Sequence, residues 1–134
     1  MKKSEVPQDE SFLSKQNVTE IYYALDEEGK FSTQKSKGWE VKTLVQTETL
    51  NSLHQRALVA KDAVANGQKS PIVYFMEVNK MDWKTLAAYM DTFTFLIKRH
   101  QKPSVFKKIK PKTLAKYAKI FNITVEELTS FDGK

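Results

Sequence analysis

Cysteine is absent from this 134-residue chain, which removes disulfides, zinc–thiolate sites and thiol catalysis together. Histidine is almost as scarce. His54 and His100 are the only two; neither has a flanking carboxylate or a second histidine at ligand spacing, so no metal site is expected and each reads as a helix-surface or partly buried side chain. The four glycines form no glycine-rich loop, so a phosphate cradle of the nucleotide-binding kind has no support. No run approaches the roughly 18 apolar residues that a membrane helix needs. Nor does the polar segment after Met1-Lys2-Lys3 resemble a signal peptide, so cytoplasmic residence is the expectation. Catalytic constellations are equally thin. Ser104-Val105-Phe106-Lys107 fits a Ser-x-x-Lys pattern without its companion motifs, and the pairs Glu27-Glu28 and Glu126-Glu127 are sequence neighbours rather than carboxylates converging across a cleft. An enzyme is therefore the class the sequence supports least, and no cofactor is expected.

A further absence points the other way. From Thr92 to Val125 there is no acidic residue, while Lys98, Arg99, Lys102, Lys107, Lys108, Lys110, Lys112, Lys116 and Lys119 fall within 22 positions. Residues 1 to 80 balance 11 Lys and Arg against 11 Asp and Glu, whereas residues 81 to 134 hold 11 against 5, so the whole net charge of +6 lies in the C-terminal part. A lysine run can be merely a solvated face. A one-signed field of this density also suits a polyanion, held through phosphate contacts and counterion release.

Along the chain, residues 1–18 are mostly polar, include Pro7 and show no period, which predicts a disordered arm. Residues 19–68 read as a β-hairpin plus a long helix. Ile21 to Leu25 is rich in β-branched and aromatic residues, Asp26 to Lys30 is a turn, and Phe31-Ser32-Thr33 starts the return strand. Because a two-stranded hairpin is marginal alone, its apolar face, with Trp39 and Val41, needs cover from the next helix or from a second copy, so a homodimer is one expectation. The helix is predicted from Thr47 or Glu48 to Asn66, with Leu50, Leu53, Ala57, Ala60 and Val64 on one face and Gly67 ending it.

Residues 69–134 carry the strongest local signals. Ser70-Pro71 opens a helix, Asp82 is placed to cap the next, and Met81 can staple against Leu86. After a turn at Asp91-Thr92, a helix is predicted from Phe93 to about His100, closed by Pro103. Pro111 suits a first helical turn, and Leu114, Tyr117, Ala118 and Phe121 form a stripe. Asn122 suits a left-handed helix end, and Thr124 to Glu127 forms a capping box. Leu86, Tyr89, Met90, Ile97, Leu114 and Phe121 are the expected core. Phe93 and Phe95, two apart, cannot both face inward on a regular helix; the one left outside the core is expected to be covered by the chain's own N-terminal part, the alternatives being contact with a thymine methyl or with a partner protein's groove.

This pattern resembles the lambda-repressor-like (Cro-like, XRE-type) helix-turn-helix domain. The resemblance runs from about Ser70 to Phe131 and rests on the Leu86-Ala87 pair early in the second helix, Ile97 in the third, and a closing helix followed by Ile-Thr-x-Glu-Glu-Leu at Ile123 to Leu128. It implies a mainly α protein: a five-helix lambda-repressor-like helix-turn-helix bundle preceded by a small β-hairpin and a long helix. Sequence-specific binding of double-stranded DNA, as a transcriptional regulator, is the function implied, with a protein-interaction module on the same fold as the rival. The residues implied at the interface are Thr94, Lys98 and Arg99 near base edges or phosphates, Trp83 and Lys84 beside the backbone, and Lys102, Lys107, Lys108, Lys110 and Lys112 on phosphates. In that family the turn often carries glycine; here Asp91 stands there, and a left-handed conformation is expected of it.

Overall fold

The structure, a computed structural model, describes residues 1–11 and 13–134. Among these the chain is mainly helical, with seven α-helices and one antiparallel two-stranded hairpin that precedes the longest of them. None of the helices is long and apolar enough to cross a membrane. The chain divides into two compact units, residues 1–50 and 51–134, and the division falls inside the long helix rather than at a loop.

In the first unit β1 (Glu20–Leu25) pairs with β2 (Phe31–Ser36) in a register running from Glu20 opposite Ser36 to Leu25 opposite Phe31. The turn is locked by the Asp26 carboxylate, whose Oδ1 accepts from the Glu28 and Lys30 amides at 3.0 and 2.9 Å. Strand alternation then sorts the side chains. Ala24 and Ser36 face inward and are buried, while Ile21, Tyr23 and Phe31 are 65, 77 and 80% exposed.

Part of the segment whose composition predicts a disordered arm, residues 1–11, lies along this hairpin instead. Val6 and Ser11 are buried. The Ser36 hydroxyl donates to the Pro7 carbonyl, the Asp9 amide donates to Gly38 O at 3.1 Å, and the Ser11 hydroxyl donates to Lys37 O at 2.6 Å. Hydrogen bonds to backbone, rather than apolar burial, hold it there. Gly38 makes the approach possible, since a Cβ at that position would lie 2.4 Å from Ser11 Cβ.

Helix α1 (Glu40–Ala65) starts earlier than the Thr47 or Glu48 expected. Val41, Thr43 and Val45 are weak helix formers. The start is nevertheless supported, because Asp9 Oδ2 accepts the Glu40 amide at 3.0 Å and so satisfies one of the N–H groups left free at a helix N-terminus. Trp39 and Val41 consequently belong to the entry of this helix, not to the hairpin's face.

In the second unit the later part of α1 contributes Ala60 and Val64 to the interior, with Leu53 and Ala57 half-buried on the same stripe. Leu50, expected on that face, is 44% exposed. Then come α2 (Pro71–Val78), α3 (Trp83–Tyr89), α4 (Thr94–Arg99), α5 (Pro103–Phe106), α6 (Pro111–Phe121) and α7 (Val125–Ser130). One core joins them: Ile72, Met76, Leu86, Ala87, Met90, Ile97, Tyr117, Phe121 and Leu128, with Met81, Trp83, Phe106 and Leu114 packed on its edge. The expected caps are in place. Asp82 Oδ1 accepts the Thr85 amide at 2.7 Å, and Thr124 and Glu127 form a reciprocal capping box.

Two expectations for this unit need correction. The five anticipated helices are joined by a sixth, α5, because Pro103 occupies the first turn of a new helix rather than simply terminating the previous one. Tyr89, assigned to the core, is 64% exposed. On α3 the inward stripe is Trp83, Leu86, Ala87 and Met90, and Tyr89 lies off it.

Candidate nucleic-acid interface

The joint between α3 and α4 sets the geometry of the candidate site. After Met90, Asp91 takes a left-handed conformation with φ of 53°, as expected of the residue standing where glycine is common. Its amide donates to Ala88 O and the Thr92 amide to Ala87 O, both at 3.1 Å. This pair of bonds is the Schellman ending, which satisfies carbonyls of the last turn and redirects the chain. Phe93 is then the extended residue before α4, whose helical residues begin at Thr94 rather than at Phe93.

Helix α4 is short, and Ile97 fixes its orientation by pointing into the core at 2% exposure. At helical spacing the opposite side carries Phe95, Lys98 and Arg99, since residues three and four apart share a face. All three are exposed. Phe93, 70% exposed, stacks on Phe95, 64% exposed, with ring centroids 5.9 Å apart and planes inclined by 23°. Both phenyls thus stand in solvent, where one was expected in the core and the other under the chain's N-terminal part. Thr94, a candidate reader, is half-buried beside the core face.

The remaining candidates fall into two groups. Lys98, Arg99, Lys102, Lys107, Lys108, Lys110 and Lys112 all come from the continuous segment spanning α4, α5 and the start of α6, and every one is exposed. Trp83 and Lys84 open α3; Lys84 is exposed, but Trp83 is half-buried against the core and has a packing role there. Among the described residues the ion pairs are Lys30–Glu28, Lys42–Glu20 and Arg56–Glu77, so none of the nine cations from Lys98 to Lys119 has an acidic partner.

A cleft of about 470 Å³ lies between α4 and α6, bordered by the cations Arg99, Lys112 and Lys116, by Thr92, His100 and Thr113, and by one acid, Asp91. It brings Arg99 and Lys112 together and adds Lys116, which sequence reading left out of the site. The omission was avoidable in principle: Lys112, Lys116 and Lys119 follow one face of α6 at helical spacing. Trp83 and Lys84 do not border this cleft.

Beneath the cleft, His100 Nδ1 is 2.7 Å from the Tyr117 hydroxyl, linking the end of α4 to α6. Burial, and secondly the Arg99 charge, hold the His100 imidazole below its ordinary pKa. Burial pushes the Tyr117 phenol up. Both shifts favour the uncharged forms, a neutral imidazole beside a protonated phenol. The same end of α4 is tied to α2, where the Ser70 hydroxyl donates to His100 O at 2.7 Å.

The start of α6 is electrostatically unusual. Lys110 stands at its cap position and Lys112 in its first turn, which contains no acidic residue. Cations here face the positive end of the helix dipole, an unfavourable placement that an anion relieves. Among the described residues no group of three potential metal ligands converges anywhere. Comparison with protein families, with curated proteins and with solved structures returned no match.

Proposed function

We propose that residues 69–134 form a lambda-repressor-like helix-turn-helix domain that binds double-stranded DNA sequence-specifically as a transcriptional regulator. The observation that carries this reading is the coincidence of two features: a left-handed turn at Asp91 that joins the short helices α3 and α4, and an acid-free run of exposed cations, without acidic partners, on α4 and the segment that follows. In this reading α4 enters the major groove, with Thr94, Lys98 and Arg99 approaching bases or phosphates. Lys84 lies beside the sugar-phosphate backbone, Trp83 seats that end of α3, and Lys102, Lys107, Lys108, Lys110 and Lys112 contact phosphates. The exposed apolar face of the hairpin, Ile21, Tyr23 and Phe31, is the surface through which two copies would pair.

A titration of duplex DNA at two salt concentrations tests it. Log affinity should fall with log salt by about 0.9 per phosphate contacted. Replacing Lys107 and Lys108 by alanine should weaken all duplexes alike and reduce the slope by about one unit per lost contact, whereas Arg99→Ala should also cost roughly 1–3 kcal/mol of discrimination if it reads a base. Absence of binding at low salt, or binding without salt dependence, would remove the reading. The exposed phenyls of Phe93 and Phe95 favour one rival in that event, a protein-interaction module on the same helices.

A further inference from the structure

Phe95 on the outward side of α4 and Phe93 at its cap stand where a groove reader places hydrogen-bonding side chains. A phenyl ring neither donates to nor accepts from a base edge. Two rings, each about two-thirds exposed and stacked on one another, present flat π-surface instead. Phe95 shares its helical face with Lys98 and Arg99, three and four residues on, so the flat surface is flanked by cations within one helical turn. From Thr92 to Val125 there is no acidic residue, and the nearest acid, Asp91, stands two positions before Phe93.

We infer that this face of α4 is a base-stacking platform for single-stranded nucleic acid, with unpaired bases on Phe93 and Phe95 and the strand's phosphates on Lys98 and Arg99. The combination is the one that single-strand binding requires, aromatic faces for the bases and a cationic track for the backbone. A duplex keeps its base faces stacked internally and cannot offer them. An apolar segment of a partner protein would cover the rings but leave the flanking cations unmatched. The inference rests on the nucleic-acid reading given above and adds to it the unpaired strand as a second and preferred form of ligand.

The test uses the full chain and fluorescence anisotropy with a labelled mixed-sequence strand of about 20 nucleotides, as DNA and as RNA, alongside its DNA duplex. The single strand is expected to bind at least about tenfold more tightly than the duplex at equal salt. Phe95→Leu keeps apolar bulk but removes the π-face, and should cost the single strand about 5- to 100-fold while leaving duplex affinity nearly unchanged; Phe95→Trp should restore binding. Because Phe95 is exposed, unchanged melting of both variants separates this effect from misfolding. Tighter binding of the DNA strand or of the RNA strand each supports the platform and identifies the sugar it prefers. Duplex binding with its salt slope intact and no preference for the single strand overturns the platform and leaves the duplex reading standing, as does Phe95→Leu binding the single strand within about twofold of the parent. If no form of nucleic acid binds, both readings fall.

Discussion

Residues 1–50 and residues 51–134 are held together by different physics. In the first unit the buried apolar side chains among the described residues are Val6 and Ala24, and the contacts that order the N-terminal segment are hydrogen bonds made by Ser36, Ser11, Gln8 and Asp9. The second unit buries twelve apolar residues, from Ala60 to Leu128, nine of which form a single core cluster. Burial is non-directional and tolerates local adjustment, whereas a buried hydroxyl bonded to backbone depends on a few ångströms of geometry. The second unit can therefore leave the nine cations from Lys98 to Lys119 exposed and without acidic partners and keep its fold, and the first cannot spare its polar groups in the same way.

Removing one core side chain should show the first half of this contrast most strongly. Leu86 is fully buried in the second unit, and Leu86→Ala should destabilise that unit by about 2–5 kcal/mol, the range for a leucine cavity. Chemical denaturation reads the loss. Hydrogen exchange of the β1 and β2 amides should be unaffected if the units are separately stabilised; an equal rise in hairpin exchange would show that the first unit depends on the second core.

The converse experiment acts on a hydroxyl. Ser36, 1% exposed, donates to the Pro7 carbonyl and accepts the Gly38 amide at 3.1 Å. Ser36→Ala leaves both groups without that partner and should cost about 1–3 kcal/mol, appearing as faster exchange and easier proteolysis of residues 1–17. The transition of the second unit should not move. A protected N-terminal segment in this variant would mean that apolar contacts, not the hydroxyl, fix it.

Much of the second unit was legible in the sequence because its signals are local. Asp82 three residues before Thr85, Pro111 in a first turn, Asn122 after Phe121, and Thr124 three before Glu127 each act within one helical turn, and each does in the structure what its spacing implies. Helix α5 was missed because proline ends one helix and begins another with the same residue. The N-terminal segment was misread because its partners lie 26 to 31 positions away, as Ser11 does from Lys37 and Asp9 from Glu40, and composition carries no trace of such pairs. At the candidate site the charges were legible by counting. That Phe93 and Phe95 are both exposed and stack on one another emerges only from the structure.

A smaller effect separates the units by pH. The His100 pKa is lowered, so between the folded value and the ordinary 6.5 the unfolded chain binds more protons than the folded one. Stability from this group is complete above 6.5 and declines as pH falls through that value toward the folded pKa. Unfolding of the second unit followed from about pH 8 to about pH 5 should show this decline, and His100→Gln should flatten it. The hairpin's exchange should show no matching change. A slope that survives His100→Gln would assign the pH dependence to another group.

The smallest expected changes come from the helix ends, which the second unit closes by one device used with different residues. Lys80, Asp91 and Asn122 all have left-handed backbones, with φ of 56, 53 and 55°, after α2, α3 and α6. In each case the next residue's amide bonds back across the turn: Met81 to Met76 O at 3.0 Å, Thr92 to Ala87 O at 3.1 Å and Ile123 to Ala118 O at 3.0 Å. Lysine has no local hydrogen bond to offset the left-handed conformation, whereas aspartate and asparagine tolerate it. Glycine removes that strain but adds freedom to the unfolded chain, a penalty of roughly 0.5–1 kcal/mol. Lys80→Gly should therefore stabilise the unit by a few tenths to about 1 kcal/mol, and Asp91→Gly and Asn122→Gly should lie near zero. Because Lys80 precedes the acid-free run, Lys80→Gly should leave the salt dependence of nucleic-acid binding unchanged. Thermal melts of the three variants decide the ranking; Asp91→Gly losing more than about 1 kcal/mol would show that the Asp91 carboxylate, rather than its backbone, holds α3 and α4 at their angle.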